Sequence, residues 1–448
     1  MGRREGWRRL PRVSGPRRRP HPPPLSGLQW QPPAQAPAAA EPVENVLERA
    51  LVAAGAIIPS NAGRPAKVGW TRSSRTDRGV HAAPAVIALR AECDPASFAG
   101  DPEGAAFAAA VNARLPPAVR VFAAQRVSGG WCARSMCEGR AYEYALPAAA
   151  LGADTGAGLE RFRAALSLYS PGAALPFHCF TKRAEYRGAG RRAGGRVRIP
   201  RGAGARDEGG GEGEAAAPTP SPPPPLPAPD RPPRPRDPDA PLPVRPHWHG
   251  DGAPDGDGVG PAHWRTVARA CAADPAPLTL GGPDAVVISL DGSSFMLHQI
   301  RHMVGAAVAV ARGALPLGAV AAALCAPARV ALPLAPPHTL TLVGARFGRY
   351  PAEALGGEAA PWVGDRLELR ESGAAAASAW RASTLAPALS ALLTHADWAE
   401  WDRVLDRLTY DGGDMRAFVA AGEAWAAAAP ARAAARAERA AAAVAAGE

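Results

Sequence analysis

Asp77 is the residue whose neighbours best equip it for chemistry. It lies in Arg75-Thr76-Asp77-Arg78-Gly79-Val80-His81-Ala82, between two arginines and two residues before a glycine. A carboxylate held there by cations stays ionised and can act as a nucleophile or a base. Judged alone, the same octapeptide reads as a surface turn, where an aspartate near a glycine most often caps the chain.

The elements that must hold this turn follow from periodicity. Val43, Val46, Leu47, Leu51 and Ala54 recur at helical spacing and predict a helix over 43–56. Residues 66–90 read as strand, turn, strand, with Trp70 on the first strand, Asp77 in the turn and Val86, Ile87 and Leu89 on the second. A helix at 104–114 ends at Leu115-Pro116-Pro117, and strands are expected at Val119 to Val127 and Arg140 to Leu146. In the latter, Tyr142, Tyr144 and Leu146 alternate with Ala141, Glu143 and Ala145. Further on, the pattern predicts helices at 159–168 and from His263-Trp264 to Ala273, a strand at 285–290, and a turn at Asp291-Gly292. A helix from Phe295–His298 to Ala311 carries Ile300, Met303, Val304, Ala307, Val308 and Ala311 on one face. A last strand fits 340–347 and an amphipathic helix fits 397–408. Helices alternating with hairpin-like strands make this an α+β chain.

The 448 residues carry a net charge of +10, which points to polyanionic partners. The charge is concentrated: residues 1–20 hold eight arginines and one glutamate, and 183–201 hold seven arginines and one glutamate. Such runs also occur as solvated basic tails. Residues 1–26 read as a disordered basic tail, and 184–260 as a disordered insertion. The stretch 216–250 contains fifteen prolines and cannot bury enough apolar surface to offset its ordering entropy. The remaining divisions are 27–183, a half carrying Asp77; 261–350, a second half; and 351–448, an Ala-rich, partly helical extension. The six cysteines form no C-x-x-C pair, which argues against a zinc ribbon and a disulfide-stapled domain and fits a reducing compartment. No ligand cluster for a metal is recognisable. No apolar run is long enough to span a bilayer, and the N-terminus lacks the apolar core of a secretory signal. The expected location is intracellular, in the nucleus or an organelle.

Four separated segments fall in one order. They are Ser74 to Ala82; Ala133-Arg134 with Arg140-Ala141-Tyr142-Glu143-Tyr144; Phe177-His178-Cys179-Phe180-Thr181-Lys182; and Ser294 to Gly305, which contains His298, Arg301 and His302. Val111 to Pro116 and Leu332 to Pro336 add weaker matches. Together they resemble the TruA-type tRNA pseudouridine synthases, eukaryotic members in particular, over roughly 27–183 and 262–347.

The resemblance implies a pseudouridine synthase fold: two α/β halves with a mixed, mostly antiparallel sheet around a central basic cleft. It implies isomerisation of uridine to pseudouridine in tRNA or other structured RNA, with Asp77 as nucleophile. No electrons or groups pass to another molecule, so the reaction calls for no cofactor. Arg301 matches the basic residue that pairs with the aspartate, and Tyr142 the active-site tyrosine. Taken singly, they would read as a solvent-facing helix arginine and a core strand tyrosine. Arg75, Arg78, Arg134, Lys182, His298 and His302 are candidates to contact phosphates or a flipped base. The family usually has Lys where this chain has Arg78, which keeps the charge. The competing expectation is a non-catalytic RNA-binding protein that keeps the fold. A third is a basic protein whose tails bind nucleic acid without selectivity. The oligomeric state is left open.

One departure is large. Family members open with a strand and a Tyr- and Gly-rich turn before the first helix. Here only Gly27-Leu28-Gln29 resembles the end of that turn. A sheet strand is therefore expected to be missing, through a misassigned 5′ end or through a real loss that would destabilise the protein.

Overall fold

The computed structural model describes residues 28–31, 41–94, 98, 100–181, 241–248, 259–350, 366–410 and 412–445. The basic run at 1–20, the one at 183–201, Lys182 and most of the 184–260 insertion lie outside the described residues. Two compact units interleave along the sequence. The first takes residues up to Leu146, Asp274–Asp291 and Pro337–Thr394; the second takes Pro147–Ala273, Gly292–Pro336 and the residues from His395 onward.

In the first unit, helix α1 (Val43–Ala53) forms where the apolar spacing places it. Its buried face, Val46, Ala50 and Leu51, joins Ile57, Val68, Trp70, Val111, Leu115 and Val119 in one core. Val111 comes from helix α2 (Ala105–Asn112). The expected strand-turn-strand is present in reduced form. β1 (Thr71–Arg72) pairs antiparallel with β3 (Ile87–Ala88), while β2 (His81–Ala82) leaves this hairpin and joins the main sheet. Trp70 lies one residue before β1.

The main sheet of this unit is mixed and open. Its strands run in the order Ala276–Pro277, Asp284–Gly292, β4 (Cys137–Pro147), β5 (Leu340–Phe347), β2. β5 is antiparallel to β4 and parallel to β2. Tyr144 and Leu146 of β4 are fully buried, as their alternation predicts. The turn expected at Asp291-Gly292 is instead the end of a strand.

Val119 to Val127, expected as a strand, has no strand pairing. It is held by loop contacts: Val121 N–H donates to Asn112 Oδ1 (2.8 Å), and Asn112 Nδ2 donates back to the Val121 carbonyl (2.8 Å). Beside it lies a cavity of about 1490 Å³, lined by Leu28, Val43, Leu47, Val121, Val343 and Phe347 among others. Among the described residues no β-strand precedes α1.

The second unit is built on α3 (Thr155–Ser167) and α4 (Gln299–Ala311), which pack together. α3 is capped by Asp154, whose side chain accepts from Ala157 N–H. α4 is buried almost all round rather than on one face: Met303, Val304, Ala306, Ala307, Val308, Ala309 and Ala311 are all fully enclosed. The helix expected at 263–273 is corrected to two strands, Trp264–Arg265 and Val267–Ala272. Their β-branched and aromatic residues are few, so tertiary pairing decides the state, not local propensity. Part of the stretch expected to be disordered is ordered as well. Leu242–Val244 pairs with Leu408–Tyr410, and His247–Trp248 pairs with Ala328–Arg329. Prolines at 243 and 246 are tolerated because these are short, two-stranded edges. The extension beyond 365 is largely helical, including Ala396–Arg407 where an amphipathic helix is predicted.

Candidate active site

Asp77 sits half-buried in the loop between β1 and β2. The loop is tied at both ends. At its entry Ser73 is buried; its N–H donates to the Val86 carbonyl (2.9 Å) and its hydroxyl accepts from Val86 N–H (3.2 Å). Arg140 of β4 grips the Ser73 carbonyl with Nε (3.2 Å) and Nη2 (2.8 Å). At its exit, His81 and Ala82 pair with Thr341 and Leu342 of β5, and the His81 ring Nε2 lies 3.0 Å from the His338 carbonyl. Within the loop, Val80 N–H donates to the Asp77 carbonyl (3.1 Å). Gly79 takes φ +85°, a left-handed conformation that closes the turn and that a side chain would strain.

β5 brings the second residue to this loop. Leu342 faces Ala82 on one side and Tyr142 of β4 on the other. A bulge in β5 falls between Leu342 and Gly344, opposite Tyr142 and Ala141. Bulges of this kind bend a strand and re-aim side chains, and they recur beside active sites. The Tyr142 hydroxyl lies 2.8 Å from Ser74 Oγ. Burial pushes the Tyr142 phenol up; the Ser74 hydrogen bond and the Arg140 charge oppose this, and the charge of Asp77 adds to it. Tyr142 is thus a neutral phenol within electrostatic reach of Asp77. Ser74 and Arg140 lie inside the motifs and Ser73 directly precedes one, yet nothing in their spacing assigns them a role, because their partners are set by sheet pairing.

Three candidate RNA contacts share this unit. Arg75, Arg78 and Arg134 are exposed. Arg75 Nε donates to Gln29 Oε1 (2.7 Å), so the segment at 28–31 touches the loop. Ala133 N–H donates to Thr71 Oγ1 (3.1 Å), which sets Arg134 beside β1.

Arg301, His298 and His302 belong to the second unit, at the start of α4. His298 takes φ +64° as the residue preceding the helix. The segment 332–335 runs against α4 at Gly305, where a Cβ would collide with the Pro333 carbonyl. This close approach supplies acceptors. Arg301 Nε donates to the Ala335 carbonyl (2.6 Å), and Ala335 N–H donates back to the Arg301 carbonyl (3.2 Å). The His302 Nδ1 lies 3.1 Å from the Leu332 carbonyl and 3.2 Å from that of Pro333.

Burial pulls His302 down to about 4, against the raising effect of those carbonyls. It is therefore a neutral, backbone-bound ring near pH 7, able to orient but not to neutralise phosphate. His178, in the third motif, is also lowered to about 4 by burial. A histidine that is neutral in the fold but protonated in the unfolded chain favours unfolding in acid. Stability is thus complete above about 6.5 and falls as pH drops from there to about 4. Each histidine contributes a slope of roughly 1.4 kcal/mol per pH unit in that window. Urea melts at stepped pH check this: His302→Gln is expected to flatten the slope by about one proton's worth.

Two units with open sheets and mixed helices, one presenting an aspartate loop beside a buried tyrosine, are compatible with an RNA-modifying enzyme of the class the motifs resemble. Comparison with known proteins gives that class a name: residues 261–348 match the family model described as tRNA pseudouridine synthase. The chain is 36% identical over 121 residues to tRNA pseudouridine synthase 1 of Saccharomyces cerevisiae, covering 27% of this chain and 20% of that protein. The protein of the same name from Schizosaccharomyces pombe matches to the same extent, and that of Yarrowia lipolytica is 33% identical over 121 residues. These matches bear out the resemblance to the TruA type and to its eukaryotic members. The chain spans about a fifth of the length of the curated relatives it matches.

Proposed function

We propose that this chain isomerises uridine to pseudouridine in tRNA, with Asp77 as the nucleophile. The observation that carries the reading is the convergence on β5: the Asp77 loop leaves along one edge of that strand and Tyr142 faces its other edge. The reaction breaks the N1–C1′ glycosidic bond, turns the uracil, joins C5 to C1′, and releases the C5 proton while N1 gains one. A carboxylate at Asp77 either attacks the electron-poor C1′ or removes a ribose proton to give a glycal-type intermediate. The neutral phenol of Tyr142 stacks on the base and assists loss of the C5 proton.

In this reading Arg301 pairs with Asp77, and the two halves close a basic cleft around a uridine taken out of its stack. The exposed Arg75, Arg78 and Arg134 contact phosphates. The protein acts on tRNA inside the cell, in the nucleus or an organelle. Among the described residues no helix is long and apolar enough to cross a membrane.

The test is tritium release from 5-tritiated uridine tRNA by the purified chain. Release supports the isomerase. Tight, structure-selective RNA binding without release favours a non-catalytic binding protein. Binding that fades uniformly with salt favours nonspecific basic tails. Tyr142→Phe keeps the ring and removes the hydroxyl. It is expected to lower kcat by about 10²-fold with little change in KM, the signature of a proton-transfer group.

A further inference from the structure

Helix α1 carries an unusual pair of carboxylates. Glu44 is fully buried and Glu48 is nearly so, one turn apart on a helix that otherwise packs apolar residues. A buried carboxylate is costly unless its lone pairs are filled. Glu44 receives four donors. Its Oε1 accepts from Arg72 Nε (2.6 Å) and Trp70 Nε1 (3.0 Å), and its Oε2 accepts from Arg72 Nη2 (2.7 Å) and Trp30 N–H (2.6 Å). Glu48 accepts from Trp30 Nε1 (2.8 Å) and from Gly63 N–H (2.9 Å). Between them on the helix, Asn45 exchanges two hydrogen bonds with the Gln31 backbone (3.0 and 2.8 Å).

Arg72 and Trp30 lead to the same place. Arg72 ends β1, and the loop that follows it reaches Asp77 five residues on. Trp30 follows Gln29, whose side chain meets Arg75 in that loop. β1 is only two residues long and pairs with a β3 equally short, so its ladder alone cannot fix the register in which Asp77 is delivered. Ser73, with its bonds to Val86 and Arg140, ties the next residue, and the bidentate Glu44–Arg72 pair holds Arg72 itself, since a fork-on-fork contact restricts rotation as well as distance.

We propose that Glu44 and Glu48 form a positioning clamp for the Asp77 loop, holding its entry strand through Arg72 and its flank through Trp30 and Gln29. The inference rests on the isomerase reading for its kinetic consequence, but not for its structural one. Glu44 touches no reacting group, so it acts through Arg72 and Trp30 only.

Two readouts test it on the full chain. Glu44→Gln keeps the shape and loses the charge. It is expected to lower kcat for tritium release about 10-fold with KM within about two-fold, as small misplacements of a reacting group do. Amide hydrogen exchange over residues 73–80 is expected to quicken. Leu51→Ala, in the apolar face of the same helix, serves as the control matched for lost stability, with neither effect on the loop. If Glu44→Gln folds poorly, Gln29→Ala carries the same two readouts without exposing a buried charge. Loop exchange and kcat that merely track the Leu51→Ala control at equal stability would overturn the clamp. A parent chain that releases no tritium would sink the isomerase reading instead, and the exchange comparison would still decide the clamp.

Discussion

Asp77→Ala is expected to reduce tritium release by at least about 10³-fold while RNA binding stays within a few-fold of the parent. The side chain is half-buried in a loop that is anchored at the Asp77 backbone and at the neighbours Ser73, Ser74 and His81. The variant and the parent are therefore compared at a temperature where both are folded. A nucleophile makes its decisive interaction only in the transition state, so its loss lowers kcat and kcat/KM together. Single-turnover release measured beside filter binding at several salt concentrations separates chemistry from affinity. A variant that retains a tenth of parental release would exclude Asp77 as the nucleophile. Asp77→Asn adds a control for shape, and is expected to be as inactive as alanine.

Arg301→Ala is expected to cost about 10²- to 10³-fold in kcat, and Arg301→Lys nearly as much. The Ala335 carbonyl accepts from Arg301 Nε at 2.6 Å, which restricts the orientation of the guanidinium. A guanidinium held in that way offers a planar, bidentate face to a carboxylate, which a lysine ammonium cannot reproduce. Lysine also leaves the Ala335 carbonyl without this donor, at about 1–3 kcal/mol if it stays buried. The melting temperature is thus expected to fall modestly in both variants, and the kcat loss is to be compared at a temperature where both are folded. If the lysine variant keeps full kcat, charge alone suffices and the oriented pairing with Asp77 is wrong. A double variant with Asp77→Ala is expected to be no slower than Asp77→Ala itself, since residues that act as one unit do not add.

Much of the fold was legible where periodicity was strong. The helix at Val43–Ala53, the strand at Cys137–Pro147 with its buried Tyr144 and Leu146, the helix at Gln299–Ala311 and the strand at Leu340–Phe347 all stand where apolar spacing puts them. The spacing failed where pairing partners far along the chain decide the state. Residues 264–272 look helical locally, yet form strands. Val119 to Val127 look like a strand, yet find no neighbouring strand to bond. Residues 241–248 look too proline-rich to order, yet two short partners at 328–329 and 408–410 hold them.

The sequence by itself determined the chemistry on offer: an aspartate between arginines, an alternating tyrosine strand, and an arginine near the start of a small-residue helix. Those depend only on residue type and local spacing. The tertiary structure decided which groups serve them. Ser74 meets Tyr142 across 68 positions, Glu44 meets Arg72 across 28, and Ala335 meets Arg301 across 34. No local periodicity encodes such pairs, because each depends on sheet register or on a backbone pressed against a glycine in a helix. The two buried glutamates of α1 show this most plainly. On a helical wheel they are polar residues that belong in water, and only the arrival of Arg72, Trp70 and Trp30 from elsewhere in the chain makes their burial favourable.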